Sequence, residues 1–268
     1  MHLIEIPRIV NFTSMKKIWI ILVISFGLFL HKAEAQSETR FGIRLSPAFT
    51  WLTTDNGNIG NNGTNLGFNM AIKADMFFSE KAALSYGIGL GLNQGGRLLY
   101  DNPGNYFPNS ELTSDLLLAL PANTDIRYKV NYIQVPVSLK ILTDEILQLR
   151  DVRFTVDAPM FTLGFRNKAF ADVTGLSGLP GFDENFYKEI ITKDVNPFDF
   201  SWGFGLGMEY SLSGSSKEGT SLILGLAYSQ SILDITKNDG TFVKDGVTEE
   251  EDSHGTRHGI NIVIGMAF

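Results

Sequence analysis

The sequence predicts an all-β fold: one antiparallel, up-and-down transmembrane β-barrel of eight strands, with long loops at one end and shorter turns at the other. Three observations carry that expectation. Eight stretches alternate apolar with small or polar residues at a period of two, the spacing of a strand whose faces meet different surroundings. The apolar faces are aliphatic and aromatic almost throughout, as a lipid-facing band requires, while the opposite faces are rich in Gly, Ser, Ala and Asn, which suits a narrow lumen. The chain also opens with the pattern of a secreted protein.

That pattern is Met15-Lys16-Lys17, the apolar run Ile18 to Leu30, and Ala33-Glu34-Ala35: a basic end, a hydrophobic core and an Ala-x-Ala cleavage site. The run falls short of the roughly 20 apolar residues of a spanning helix, so residues 1–35 read as a signal peptide cut after Ala35. Met15 is the better start, which makes residues 1–14 an upstream mis-start and residues 36–268 a single barrel domain. Cleavage would take away four basic and two acidic residues and leave 233 residues with a net charge of −9. An acidic chain of this kind has no electrostatic footprint for nucleic acid. The absence of cysteine excludes a disulfide framework, thiolate metal sites and a lipid-anchored lipoprotein.

The first strand sets Phe41, Ile43, Leu45, Pro47, Phe49 and Trp51 on one face. Leu66 to Phe78 forms the second and Ala82 to Arg97 the third, with Gly87, Gly89 and Gly91 opposite the apolar residues. The fourth, Asn131 to Ile141, alternates Ile133, Val135, Val137, Leu139 and Ile141 with Gln134, Pro136, Ser138 and Lys140. Proline cannot donate to a sheet ladder, so Pro136 calls for a local bend or bulge. In the fifth strand Val152, Phe154 and Val156 share a phase that shifts to Phe161, Leu163 and Phe165 across Ala158-Pro159-Met160, the mark of a β-bulge. Phe198 to Leu212, Leu222 to Ile232 and Ile260 to Phe268 complete the set.

The connections alternate in length. Thr53–Asn65, Asp101–Asn123, Asn167–Asn196 and Lys237–Gly255 are long, whereas Ser79–Lys81, Leu142–Asp151 and Ser213–Gly219 are shorter. An even-stranded barrel in a bacterial outer membrane, with both termini periplasmic and long loops outside, has this arrangement.

Tyr132-Ile-Gln-Val-Pro-Val-Ser-Leu-Lys140, Phe198-Asp-Phe-Ser-Trp-Gly-Phe-Gly-Leu-Gly-Met-Glu-Tyr210 and the terminal aromatic resemble the PorT-type outer-membrane β-barrel family of Bacteroidota. The resemblance covers nearly the whole mature chain. It implies an outer-membrane location and, for the family's namesake, a part in exporting proteins to the cell surface. No catalytic residues come with it.

Candidate chemistry is sparse. Gly87-x-Gly89-x-Gly91 and Gly203-x-Gly205-x-Gly207 lie inside period-two strands, not at the strand-to-helix junction a dinucleotide site needs. His254 and His258 are flanked by Gly255 and Gly259, which disfavours a helical metal site. The acidic run Asp239 to Asp252 fails the calcium-loop template, because the required glycine would fall at Asp239. No catalytic, cofactor or metal residues are expected, and the protein reads as non-enzymatic.

Three groups remain. Arg44, Lys73, Asp75, Lys140, Arg153, Asp157 and Glu209 share the lumen phase and are expected to form a structural network of ion pairs. In the third long loop Asp183 can cap a short helix on which Phe182, Phe186, Tyr187, Ile190 and Ile191 make an apolar surface for packing or for docking a partner. Phe268 ends the lipid-face alternation and resembles a barrel-assembly signal. The expected partners are outer-membrane lipid and lipopolysaccharide, the barrel-assembly machinery, and secretion-system or surface proteins. An accessory or docking barrel is the first reading, a narrow passive channel the second and an outer-membrane enzyme the third.

Overall fold

The computed structural model describes residues 38–144, 151–176, 186–212 and 219–268; the signal-peptide stretch, Phe182 and Asp183 lie outside them. Eight strands form the ring: β1 (Thr39–Thr53), β2 (Ile59–Ser79), β3 (Ala82–Tyr100), β5 (Thr124–Leu142), β6 (Val152–Thr174), β8 (Phe198–Ser211), β9 (Ser221–Ser231) and β12 (Thr256–Ala267). Each pairs antiparallel with the next, and β12 returns to β1 with Ala267 opposite Gly42. Phe41 and Phe268 exchange backbone hydrogen bonds of 3.0 and 2.8 Å at this seam. Closure leaves the ring without a free edge.

The alternation sorts as the sequence predicts. On β8, Phe198, Trp202, Phe204, Leu206, Met208 and Tyr210 are exposed, while Asp199, Ser201, Gly203, Gly205 and Glu209 turn inward. Leu66, Ile72 and Phe78 on β2, Ile88 on β3, Phe154 on β6, Ile260, Ile262, Ile264 and Met266 on the last strand and Phe268 just after it continue the outer apolar band. The bulge expected at Pro159 is present: Ser138 pairs with Met160 and Lys140 with Asp157, so Ala158 and Pro159 fall out of register.

Of the bend or bulge expected at Pro136, the bulge does not form. The β3–β5 register is the same on both sides of it, from Tyr86 opposite Val137 to Gly89 opposite Gln134, and Pro136 remains opposite Thr162 of β6. No residue is gained or lost; proline withholds one donor, and the ladder lapses for two pairs.

The strands also run further than expected. The connection expected over Thr53–Asn65 shrinks to residues 54–58, and β6 continues to Thr174. A membrane strand needs about 9–11 residues, whereas β2, β3, β5 and β6 have 21, 19, 19 and 23. Their surplus rises past the apolar band, where the faces exchange character. On β5, Ile126, Tyr128, Val130 and Tyr132 point inward and are at most 2% exposed, while Ile133, Val135 and Ile141 point outward.

The loop residues Phe186–Ile190 are not helical, which corrects the expected helix. They form β7, antiparallel to the end of β6 with Thr174 opposite Phe186 and Phe170 opposite Ile190. β-branched and aromatic residues favour a strand, and the extended β6 offers an unpaired edge. Phe186 and Ile190 consequently face outward, whereas Ile191 is fully buried and Tyr187 packs on the interior. A small sheet of β4 (Gly104–Asn105), β10 (Thr241–Lys244) and β11 (Val247–Glu250) completes the loop end. Its hairpin turns at Asp245-Gly246, both at positive φ (51° and 80°), as a two-residue turn of this hand requires.

Candidate functional site

Building from the end that holds the chain termini, the inward positions of β1, β2, β5 and β8 bring charged groups together. Lys140 Nζ donates to Asp75 Oδ2 at 2.7 Å and also to Glu209. Arg44 lies 3.6 Å from Asp75, and Arg40 lies 3.4 Å from Glu209 while donating to Ser221 Oγ at 2.9 Å. Lys140, Asp75 and Glu209 are only 2–4% exposed, so the cluster fills its layer of the lumen. Lys73 and Asp157 meet through Ser138, which accepts from Lys73 at 3.5 Å and donates to Asp157 at 3.2 Å. Arg153 faces Glu209 across the β6–β8 ladder. All seven expected lumen residues thus lie in one layer system.

Two inward-facing charged pairs, Arg40–Glu209 and Arg257–Asp199, include residues outside the expected lumen set. Arg40 shares the phase of Arg44 but precedes the first apolar residue of β1. Arg257 donates to Asp199 at 2.5 Å, both buried, and Ser231 donates to the same carboxylate; each sits on the inward phase of its strand and was readable on that ground.

Lys73, Lys140 and Asp157 also border open space in the lumen. A cavity of about 140 Å³ is lined by Asn69, Gln94, Gln134 and Ser46, with Arg44 toward one end and Arg257 toward the other. Asn69 donates to Asn261 across it at 2.8 Å.

The loop end is closed by an apolar core. Leu98, Phe107, Leu117, Leu120, Ile126, Val173, Ile191 and Phe242 pack there, each at most 5% exposed. The Tyr100 and Tyr128 hydroxyls share a 2.6 Å hydrogen bond inside it, and burial pushes both phenols well above their ordinary pKa. Asp194 and Glu189 tie the cap down, accepting from the Asn109 and Thr113 backbone N–H groups at 2.9 Å each. Glu251, also buried, accepts from Ser253 N at 2.9 Å; burial, helped by the Asp234 and Asp252 carboxylates, raises its pKa against the opposing Ser253 hydrogen bonds.

His258 stacks on Trp51 at 5.5 Å and bonds to Thr53 and Tyr228, all at the rim of the apolar band. His254 is half-exposed in the preceding loop, 3.5 Å from Asp234. Among the described residues, no group of three or more His, Asp or Glu is placed to hold a metal ion. The hairpin β10–β11 is the acidic loop of the sequence, and all four residues of β11 are exposed.

The pattern of a family described as "Outer membrane protein beta-barrel domain" matches residues 34–237. Among solved structures, the chain is similar to Neisserial surface protein A (13% identity, TM-score 0.38, covering 85% of this chain and 95% of that one). It is also similar to the attachment invasion locus protein Ail of Yersinia pestis (10%, TM-score 0.37, 87% and 99%) and to the outer membrane protease OmpT of Escherichia coli (8%, TM-score 0.36, 87% and 93%). Likenesses this distant carry nothing about activity. No curated protein matches the sequence.

Proposed function

We propose that this chain, which belongs to the outer membrane protein beta-barrel domain family, is a closed, non-enzymatic barrel that serves as an accessory or docking component at the cell surface. The observation that carries the reading is that the lumen is blocked twice. The Lys140–Asp75–Glu209 cluster fills one level and the apolar cap around Phe107 and Tyr128 fills another. Eight strands enclose an interior just wide enough for side chains, so little is left for a solute to follow.

With the walls facing lipid and the lumen filled, partner contact falls to the loop end. The exposed β10–β11 hairpin, with Val247, Glu249 and Glu250, replaces the expected helix as the candidate surface. The resemblance to PorT-type barrels makes a role in protein export the specific form of this reading. The length of the loops at that end supports an orientation with it outside and the termini in the periplasm, and a signal peptide cleaved after Ala35 would leave only a few residues ahead of β1.

The cavity bordered by Asn69, Gln94 and Gln134 favours a second reading, a narrow channel. Planar-bilayer recording decides between them. A closed barrel gives no reproducible steps, and it stays closed in Arg44→Ala because the cap persists; well-defined wild-type conductance would promote the channel. Cross-linking from Val247 in intact cells tests docking: a partner set unchanged by replacing Val247, Glu249 and Glu250 with serine would remove the hairpin from the interface.

A further inference from the structure

Although the chain is acidic overall, one stretch of its outer wall is basic. Above the apolar band, the outward positions of β5 and β6 change from Ile133, Val135 and Phe165 to Arg127, Lys129 and Lys168, and β7 adds Lys188. Asn167 is an extra residue in β6, since Lys168 lies opposite Asn131 and Arg166 opposite Tyr132, so the rise from Phe165 to Lys168 matches the two steps from Ile133 to Asn131 on β5, about 7 Å at 3.3 Å per residue. The basic stretch therefore begins where hydrocarbon gives way to headgroups.

Its centre is Phe170. The ammonium of Lys168 and that of Lys188 each lie 5.0 Å from the centroid of this ring, so the two are at most twice that apart, within about one Debye length (~10 Å) at 0.1 M salt. Asp172, the carboxylate opposite both Arg127 and Lys188, is 3% exposed and is already paired with Lys129. Glu189 of β7 is buried on the inward face and engaged by Thr113. Lys168 and Lys188 are both exposed, and the described residues give neither a carboxylate partner. Two like charges gathered around one aromatic ring repel each other, and an anion beside them relieves that repulsion.

We infer that this wall of β5, β6 and β7 binds a phosphate of the glycolipid headgroups in the outer leaflet. The occupant follows from position, since the site is continuous with the lipid-facing band and the molecules already standing there carry their phosphates at that depth. Phe170 and the exposed Phe186 and Ile190 supply apolar contact beside the lysines. The inference rests on the orientation proposed above, with the long-loop end outside.

The test uses the full folded barrel in detergent and measures binding of bis-phosphorylated lipid A by native mass spectrometry. Lys168→Gln/Lys188→Gln, which touches neither lumen nor cap, should bind roughly ten- to thirty-fold more weakly while keeping its heat-modifiable mobility. Dephosphorylated lipid A should not discriminate between wild type and variant. Equal affinity of the two proteins for lipid A would overturn the site, and equal affinity of the wild type for phosphatidylglycerol and lipid A would overturn the glycolipid assignment. Orientation is read separately: the chain lacks cysteine, so Lys244→Cys should react with an impermeant maleimide in intact cells. Failure to react would place the wall in the other leaflet and remove the glycolipid as partner, even with phosphate binding intact in detergent.

Discussion

Lys140 on β5 donates to Asp75 on β2 across the lumen, although β3 stands between those strands in the ring. With its second bond to Glu209 on β8, this one side chain joins three walls of the barrel. Charge counting around it is uneven: among the described residues Arg40, Arg44 and Lys140 are paired with Asp75 and Glu209, and the nearby Lys73 and Arg153 add two cations against the one further carboxylate of Asp157.

Losing a carboxylate should therefore cost more than losing the lysine. Asp75→Asn leaves Lys140 and Arg44 without their shared acceptor, and an uncompensated buried charge costs about 3–5 kcal/mol. Lys140→Met leaves each carboxylate beside an arginine and should cost less. Urea unfolding in micelles is expected to order the midpoints wild type, Lys140→Met, Asp75→Asn; the reverse order of the two variants would refute the count.

The glycine run of β8 makes a second contrast inside one motif. A Cβ on Gly203 would stand 2.0 Å from the Tyr228 carbonyl oxygen, whereas on Gly205 it would meet only side-chain atoms, Met160 Sδ at 3.3 Å, Ala227 Cβ at 3.4 Å and Asp157 Cβ at 3.5 Å. Backbone cannot yield as a thioether can. Gly203→Ala should lose about 1–3 kcal/mol and refold poorly, while Gly205→Ala should give nearly wild-type yields of the heat-modifiable form.

The membrane-facing half of the barrel was legible because lipid and lumen impose opposite demands on alternate residues. Phe198 to Tyr210 reads correctly residue by residue for that reason. The cap was not, because above the membrane the demands invert: Ile126, Tyr128, Val130 and Tyr132 are apolar inward and Arg127 and Lys129 polar outward. The apolar parity of β5 changes from even to odd between Tyr132 and Ile133, a signal present in the sequence that marks the boundary. The strand at Phe186–Ile190 left a weaker trace, since its partner edge exists only once β6 has extended to Thr174. Asp245-Gly246 was a readable hairpin turn.

Glu251 gives the cap a pH dependence. Burial holds its pKa above the ordinary carboxylate value, so folding favours the protonated form. Its contribution is fully present below the unfolded carboxylate pKa, about 4.3, and is lost as pH rises through the higher folded value. Glu251→Gln, neutral throughout, should remove this dependence and stabilise the cap at neutral pH. Thermal unfolding of wild type and variant from pH 4 to 8 should show the largest gap at the top of the range; a constant gap would exclude Glu251 as its source.

Phe268 combines two features that one deletion would confuse. Its backbone exchanges hydrogen bonds with Phe41 at the seam where the last strand meets the first, and its ring is 58% exposed on the lipid face. Deleting it removes both, so slower assembly of the deletion would not separate a ring recognised by the assembly machinery from two bonds that help close the barrel. Phe268→Ala separates them, because it keeps the backbone pair and discards the ring. If the ring is an assembly signal, Phe268→Ala should refold into detergent or lipid as the wild type does, yet insert less efficiently in cells, where the machinery selects its clients. If the seam bonds matter instead, Phe268→Ala should be normal in both settings and only the deletion should fail in vitro. Comparing heat-modifiable protein from refolding and from cell envelopes reads both arms, and wild-type insertion of Phe268→Ala in cells would remove the aromatic ring from the assembly step.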